Sequence, residues 1–169
     1  MRLLPDLVLT PQGWQTGRAV AITGGRVAAV QAAGNAQRGD QALPGRALLP
    51  GTAFFLGLPY APARAFLSTG ARVALASDFN PGSSMGLSLQ LTMTMAVSQM
   101  KMSPEEALLG VTLHGAHAMG LEAEVGSLAP GKQCDVLLAD VPNWRYLSYF
   151  YGVNHVSRVI KRGRLVHER

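Results

Sequence analysis

A nearly continuous apolar run, ARVALAS at residues 71–77, is the feature that most limits how this chain can fold. Strands with one face in water alternate apolar and polar residues, whereas continuous apolar runs are typical of strands covered on both faces. We therefore predict a buried strand of the parallel-sheet type at residues 71–77. Asp78 follows this run directly, so a carboxylate is expected at the carboxyl end of the strand.

The elements around this strand are β-rich near both ends of the chain and helical in between. Short strands are predicted at residues 6–9, 19–22, 26–30, 46–49, 135–139, 156–160 and 165–167. Residues 52–70 suggest an irregular turn and a short helix, and further helices are predicted at 87–99 and 103–119. The last of these opens with the capping-box sequence Ser103-Pro-Glu-Glu106. The fold class is thus mixed α/β, and 169 residues are too few for a complete (β/α)8 barrel, which needs roughly 250.

The residues after the apolar run carry side chains suited to binding and hydrolysis. Asp78 stands where catalytic groups lie in parallel α/β architectures, and a carboxylate there can ligate a metal or act as a general base. Asn80 can both donate and accept hydrogen bonds, and Gly82 lets a ligand approach the backbone. Ser83 and Ser84 offer N–H groups suited to a substrate carboxylate. An equally open alternative is that Asp78 and Asn80 only turn and cap the chain.

Charge, hydropathy and cysteine content argue against several classes of protein. The net charge is +5, but basic residues are dense only at residues 158–169, which carry no aromatic residues for base stacking, so no nucleic-acid partner is expected. The apolar segment at residues 85–100 is too short and too polar to span a membrane. Cys134 is the only cysteine, which excludes an intrachain disulfide and favours a cytoplasmic location.

The four histidines are a poor set of metal ligands. His114 and His117 are three residues apart on a predicted helix, and the small residues beside them indicate close helix packing. His155 and His167 are expected at a surface or a sheet edge. All four histidines follow Asp78 in the chain, and none forms a recognised metal-binding motif.

Several motifs carry a family resemblance. In chain order they are ALASDFNPGSS, SLQLTMTMA, MSPEEALLGVT, GSLAPGKQCDVLLAD and YGVNHVSRVIKRGRLV. Over residues 73–164 the chain resembles the C-terminal part of the imidazolonepropionases, which belong to the amidohydrolase superfamily. Residues 50–56 resemble the segment that lies shortly before this strand in the family. Residues 1–49 resemble the N-terminal part of the small β-sandwich of the same enzymes.

The resemblance implies roles for four residues after the strand. Asp78 corresponds to a catalytic residue and metal ligand beside the hydrolytic water, with zinc or iron as the metal. Asn80, Gly82 and Ser83 correspond to a loop that binds substrate or product. The implied reaction belongs to histidine degradation and hydrolyses the ring C–N bond of 4-imidazolone-5-propanoate to give N-formimino-L-glutamate. A loop suited to anions agrees with the carboxylate of this small-molecule substrate.

Most of the barrel of such enzymes is missing from this sequence. A strand with a His-x-His motif should follow Gly51, whereas Thr52 follows it here and no His-x-His occurs in the chain. We interpret this as an internal deletion at that junction. The expected fold is a small composite β-sandwich built from residues 1–50 and 126–169. Residues 51–125 are expected to supply the last strand of an incomplete barrel with its flanking helices.

The missing motif lowers the expected activity. A catalytic zinc site usually has three protein ligands, and the expected place offers only Asp78. We therefore predict an imidazolonepropionase-like chain with weak or no hydrolytic activity of its own. The alternative is a non-catalytic binding or self-associating module, since exposed barrel edges favour homo-oligomers. A third interpretation is assembly with another chain that donates the missing histidines.

Overall fold

The chain is divided into two units, residues 1–46 and residues 47–169. The structure, a computed structural model, describes the second unit with its side chains. In the first unit it describes the backbone of the strands only. Both helices and strands occur, which confirms the mixed α/β class, and the described strands do not form a closed barrel.

The first unit contains short strands in two small sheets. They are β1 (Arg2–Pro5), β2 (Val8–Thr10), β3 (Gly13–Gln15), β4 (Arg18–Thr23), β5 (Arg26–Ala32) and β6 (Asp40–Leu43). One sheet has the order β5-β4-β1-β6, and β2 pairs with β3 in the other. The predicted strands at 19–22 and 26–30 are confirmed as the antiparallel pair β4 and β5. The strand predicted at 6–9 begins at Val8, and residues 6 and 7 lie outside the described residues.

The second unit alternates strands and helices and then ends in an antiparallel sheet. Its elements are β7 (Arg46–Leu48), α1 (Pro50–Leu56), α2 (Ala63–Ser68), β8 (Val73–Leu75), α3 (Leu89–Ser98), α4 (Pro104–Val111), α5 (Leu113–Ala118), β9 (Val136–Ala139), α6 (Tyr146–Tyr149), β10 (Val156–Lys161) and β11 (Arg164–Glu168). β7 pairs with β8, and the second sheet has the order β11-β10-β9.

The strand β8 lies at the centre of the second unit. Its three residues are at most 4% exposed, so the prediction of a strand covered on both faces is confirmed. The strand is shorter than the apolar run because its partner β7 is only three residues long, and the backbone N–H of Ala76 donates to the Leu48 carbonyl at the end of that pairing. The buried core around it consists of Leu48, Ala63, Val73, Leu75, Met93, Ala96, Met100, Met102 and Ala107.

Two helical predictions differ from the structure. The turn expected after residue 52 is instead α1, which begins at Pro50, a residue whose fixed φ suits the first helical position. The helix expected over 103–119 is divided into α4 and α5 at Thr112, where φ is −122° and ψ is −94°. The Thr112 hydroxyl donates to the Leu108 carbonyl at 2.7 Å. A hydrogen bond from a threonine hydroxyl to the carbonyl four residues earlier often bends a helix.

The start of α4 is as predicted and is tied to α2. The Ser103 hydroxyl accepts from the Glu106 N–H at 3.1 Å, and the Glu106 carboxylate accepts from the Ser103 N–H at 2.7 Å. The same carboxylate accepts two hydrogen bonds from the Arg64 guanidinium of α2, at 2.7 and 2.8 Å. The Arg64 hydrogen bond is the main cause that lowers the pKa of Glu106. One acidic residue therefore both caps α4 and joins it to α2.

The C-terminal sheet is closed by a tight turn between β10 and β11. Arg162 and Gly163 have φ of +50° and +74°, the left-handed pair that two-residue hairpins favour. The Asp135 carboxylate accepts hydrogen bonds from the Lys161 ammonium and from the Arg162 N–H. These hydrogen bonds lower the pKa of Asp135 to about 2, and the one from Lys161 has the largest effect. The composite sandwich stays a prediction, since each sheet is described by itself. None of the described helices has the length and hydropathy to cross a membrane.

The packing of α4 on β8 gives a first test. Gly110 is buried in α4, and a Cβ added there would lie 2.9 Å from Cγ of Leu75 and 3.2 Å from the Val73 carbonyl oxygen. We expect Gly110→Ala to lower the free energy of unfolding by about 1–3 kcal/mol because it overpacks the core, even though alanine normally favours a helix. Urea unfolding followed by circular dichroism measures this.

The matched control is Gly86→Ala, because nothing lies within 4 Å of a Cβ added at Gly86. This control should unfold close to the wild-type midpoint. A Gly110→Ala protein as stable as the wild type would show that α4 is not packed against β8 in this way.

Candidate functional site

The carboxyl end of β8 delivers Asp78 to the candidate site. The chain leaves the strand at Leu75 and reverses at Asp78, whose φ of +54° is in the left-handed region. Aspartate and asparagine tolerate this region better than most residues do. The turn places the Asp78 side chain, which is partly buried, beside the first turn of α1.

The next residues form a loop organised by Asn80. Its side-chain amide donates to the Asp78 carbonyl at 2.7 Å, and its side-chain oxygen accepts from the N–H groups of Gly82 and Ser83, each at 2.9 Å. The Ser83 hydroxyl lies within hydrogen-bonding distance of both amide atoms of Asn80. The structure thus brings together all four residues that the sequence marked for the site: Asp78, Asn80, Gly82 and Ser83.

The end of the loop returns to the strand and to α1. Asn80 and Ser84 pair through their backbones, and the Ser84 hydroxyl donates to the Ser77 carbonyl at 2.8 Å. A Cβ added to Gly51 would lie 2.8 Å from the Ser84 hydroxyl oxygen and 3.0 Å from the Ser77 carbonyl oxygen. A larger residue here would displace the Ser84 hydroxyl and crowd the Ser77 carbonyl, because the start of α1 lies close against the loop.

Thr52 is the site residue that the sequence did not reveal. Its hydroxyl, in the first turn of α1, donates to the Asp78 carboxylate at 2.5 Å, across 26 residues of sequence. No local pattern around Thr52 points to this contact, since it arises only when α1 packs on the end of β8. The hydroxyl therefore provides the Asp78 carboxylate with a direct hydrogen-bond donor.

The N–H groups expected to bind an anion are engaged within the loop. Those of Gly82 and Ser83 donate to the Asn80 side chain, and that of Ser84 donates to the Asn80 carbonyl at 3.3 Å. The following helix, α3, begins at Leu89, and its cap is Ser88 rather than a residue of the loop. These contacts support the turn-shaping interpretation of Asn80. Gly82 is exposed, so the tip of the loop is accessible to a ligand, and the binding role stays a prediction.

The described residues do not fit the zinc or iron centre implied by the resemblance. Nowhere in residues 47–169 do three or more His, Cys, Asp or Glu side chains gather as they would to hold a metal ion. His114 lies 3.3 Å from the Val73 carbonyl, His117 contacts Arg72 and Glu122, and His155 lies 2.9 Å from the Phe150 carbonyl. Residues 1–46 contain no histidine or cysteine. Among the described residues, Asp78 is therefore not part of a group of three or more such side chains.

Comparison with known proteins gives consistent matches over the second unit. The Amidohydrolase family profile matches residues 55–166. The imidazolonepropionase of Rubrobacter xylanophilus is 50% identical over 119 residues, which are 70% of this chain and 29% of that protein. The imidazolonepropionase of Treponema denticola is 48% identical over 123 residues, 72% of this chain and 30% of that protein. The chain thus spans less than a third of the length of these curated relatives.

Solved structures show the same fold at lower sequence identity. Guanine deaminase of E. coli superposes with a TM-score of 0.62 at 21% identity, over 73% of this chain and 34% of that one. An adenosine deaminase from Xanthomonas campestris with bound zinc gives 0.65 at 23% identity, over 76% of this chain and 32% of that one. These superpositions show that this chain has the fold of about a third of each of those two proteins.

The Asn80 network gives a test of the loop. Asn80→Ala removes the bonds accepted from the Gly82 and Ser83 N–H groups, the bond donated to the Asp78 carbonyl and the contact with the Ser83 hydroxyl, so we expect it to lower the free energy of unfolding by about 1–3 kcal/mol. It should also speed hydrogen exchange at the Ser83 amide. Asn80→Asp keeps the accepting oxygens and loses only the donor, so it should fall between the alanine variant and the wild type. Unchanged exchange at Ser83 in the alanine variant would contradict the network.

Proposed function

The chain belongs to the amidohydrolase family, and from that premise we propose that it is an imidazolonepropionase-like chain with weak or no hydrolytic activity of its own. One observation carries the proposal. Asp78 and the loop residues Asn80, Gly82 and Ser83 meet at the end of the buried strand β8, whereas no metal-ligand cluster accompanies them among the described residues. The chain has kept one part of a hydrolytic site without the rest.

The proposed substrate class is a small cyclic amide or amidine with a carboxylate, of which 4-imidazolone-5-propanoate is the member that the resemblance implies. Two relatives named imidazolonepropionase share about half of the aligned residues with this chain, which supports this choice. The exposed tip of the loop at Gly82 is the proposed place where the substrate approaches the backbone closely. The product of ring opening would be N-formimino-L-glutamate.

The chemistry available from this chain's own residues is limited. A carboxylate such as Asp78 can accept a proton from an attacking water. Hydrolysis of a ring C–N bond also needs a group that polarises the ring and stabilises the charge that develops. Since the described residues do not fit zinc or iron, we propose no metal-assisted step for this chain. The single carboxylate explains why weak or absent turnover is expected.

We also propose the setting in which the chain works. Cys134 is a free, exposed thiol, which supports a reducing cytoplasm. No nucleic-acid or membrane partner is proposed. Another chain that donates the missing histidines is the third interpretation, and a metal that co-purifies with such a complex would support it.

Turnover of 4-imidazolone-5-propanoate tests the proposal. The purified chain is assayed with added zinc or iron, with loss of the substrate followed by absorbance and the product identified by mass spectrometry. We expect wild type and Asp78→Asn to give the same rate, close to that without protein. The control is well matched, because asparagine tolerates a left-handed φ and its side-chain oxygen still accepts a hydrogen bond from Thr52. A wild-type rate clearly above that of Asp78→Asn would overturn the proposal.

The second candidate function is a self-associating module, favoured by the outer face of α1. Phe54 and Phe55 are 65% and 64% exposed, and Leu56 and Leu58 are exposed beside them. Soluble monomers rarely expose contiguous apolar patches, and such patches mark interaction surfaces. Under this proposal the occupant of the patch is a second copy of this chain.

Light scattering after size-exclusion chromatography tests self-association. We expect the wild type to give a mass that rises with concentration above that of one chain. The variant Phe54→Ser with Phe55→Ser should be monomeric, whereas Leu128→Ser, which removes an apolar residue that is 74% exposed outside α1, should behave as the wild type does. A monomeric wild type at high micromolar concentration would argue against this second candidate.

A further inference from the structure

We infer that Asp78 in this chain is a structural anchor for the first turn of α1 and not a metal ligand, with the Thr52 hydroxyl as its partner. The inference rests on the proposed function and deepens it, because it gives a structural reason for weak or absent hydrolysis. The name Thr52–Asp78 pair denotes the hydrogen bond from Oγ1 of Thr52 to Oδ2 of Asp78.

The carboxylate of Asp78 already has a hydrogen-bond donor. Thr52 and Asp78 are both partly buried, and the hydroxyl donates to the carboxylate at 2.5 Å. A partly buried carboxylate without a partner costs free energy, and a hydrogen bond to a charged group is stronger than one between neutral groups. The pair therefore gives Oδ2 of the Asp78 carboxylate a hydrogen-bond partner from α1.

The residues around the pair offer a metal ion too few ligands. A catalytic zinc site usually has three protein ligands. Nowhere in residues 47–169 do three or more His, Cys, Asp or Glu side chains gather as such a site would require. The group that contacts the Asp78 carboxylate is instead the hydroxyl of Thr52, which belongs to the first turn of α1.

The surrounding packing holds the pair together. Gly51 precedes Thr52 and leaves no room for a Cβ against Ser84 and the Ser77 carbonyl. On the other side, Asn80 donates to the Asp78 carbonyl and helps hold its left-handed backbone. A non-glycine residue in that conformation persists only where its neighbours determine it. Both members of the pair are thus fixed by independent contacts.

A double-mutant cycle on stability is the first half of the test. Thr52→Val removes the hydroxyl at nearly constant shape and should raise the unfolding equilibrium constant about tenfold or more, since it leaves the carboxylate without its donor. Thr52→Ser keeps a donor and should remain near the wild type. In an Asp78→Ala background, Thr52→Val should change that constant far less. An equal effect of Thr52→Val in both backgrounds would overturn the inference.

The second half of the test measures zinc binding. It needs only the folded wild-type protein and the folded Asp78→Asn variant. After equilibrium dialysis against zinc chloride, we expect both proteins to retain the same amount of zinc, measured by elemental analysis. One equivalent of zinc held by the wild type and lost in Asp78→Asn would overturn the inference.

The two proposals fail in different ways. Zinc bound through Asp78 without turnover would overturn the structural role of Asp78 and leave the proposed lack of activity intact. Turnover above that of Asp78→Asn, together with equal zinc retention, would overturn the proposed function and leave the anchor role intact.

Discussion

The burial of β8 on both faces is the constraint on which the second unit depends. Three residues are enclosed by helices that approach closely, and Gly110 of α4 is there because a methyl group would collide with Leu75. A strand enclosed in this way can expose polar groups only where it ends. Asp78 and the loop that follows lie at the carboxyl end of this strand, where its polar groups become accessible.

Two findings lead to different expectations about activity. The chain belongs to the amidohydrolase family, but it spans less than a third of the length of its curated relatives. About half of the aligned residues, over about 70% of this chain, are shared with imidazolonepropionases. A hydrolytic site in such proteins is nevertheless assembled from the ends of several strands. This chain has Asp78 at the end of β8 and no cluster of metal-ligating side chains among the described residues, which is why weak or absent turnover is proposed for it.

Local signals in the sequence predicted the elements that depend on local interactions. The apolar run and the Ser103–Glu106 capping box are each visible in neighbouring residues, and both predictions are confirmed. The sequence missed α1 and the break at Thr112, because tertiary packing and a side-chain bond back along the helix decide those. The sequence marked Asp78, Asn80, Gly82 and Ser83, which lie together in the structure, and their roles stay a prediction. It missed the Thr52–Asp78 pair, since a contact across 26 residues exists only once two elements have packed.

The absence of a side chain at Gly51 has a consequence for how the molecule opens. Because the start of α1 rests directly on Ser77 and Ser84, and Asn80 links Asp78 to Ser83, the segment from residue 50 to residue 84 has no free hinge at the strand end. Regions connected in this way tend to open as one cooperative unit rather than by local fraying. The loop should then exchange its amide hydrogens in the same sub-global event as β8, behaving as part of the core despite its exposed tip.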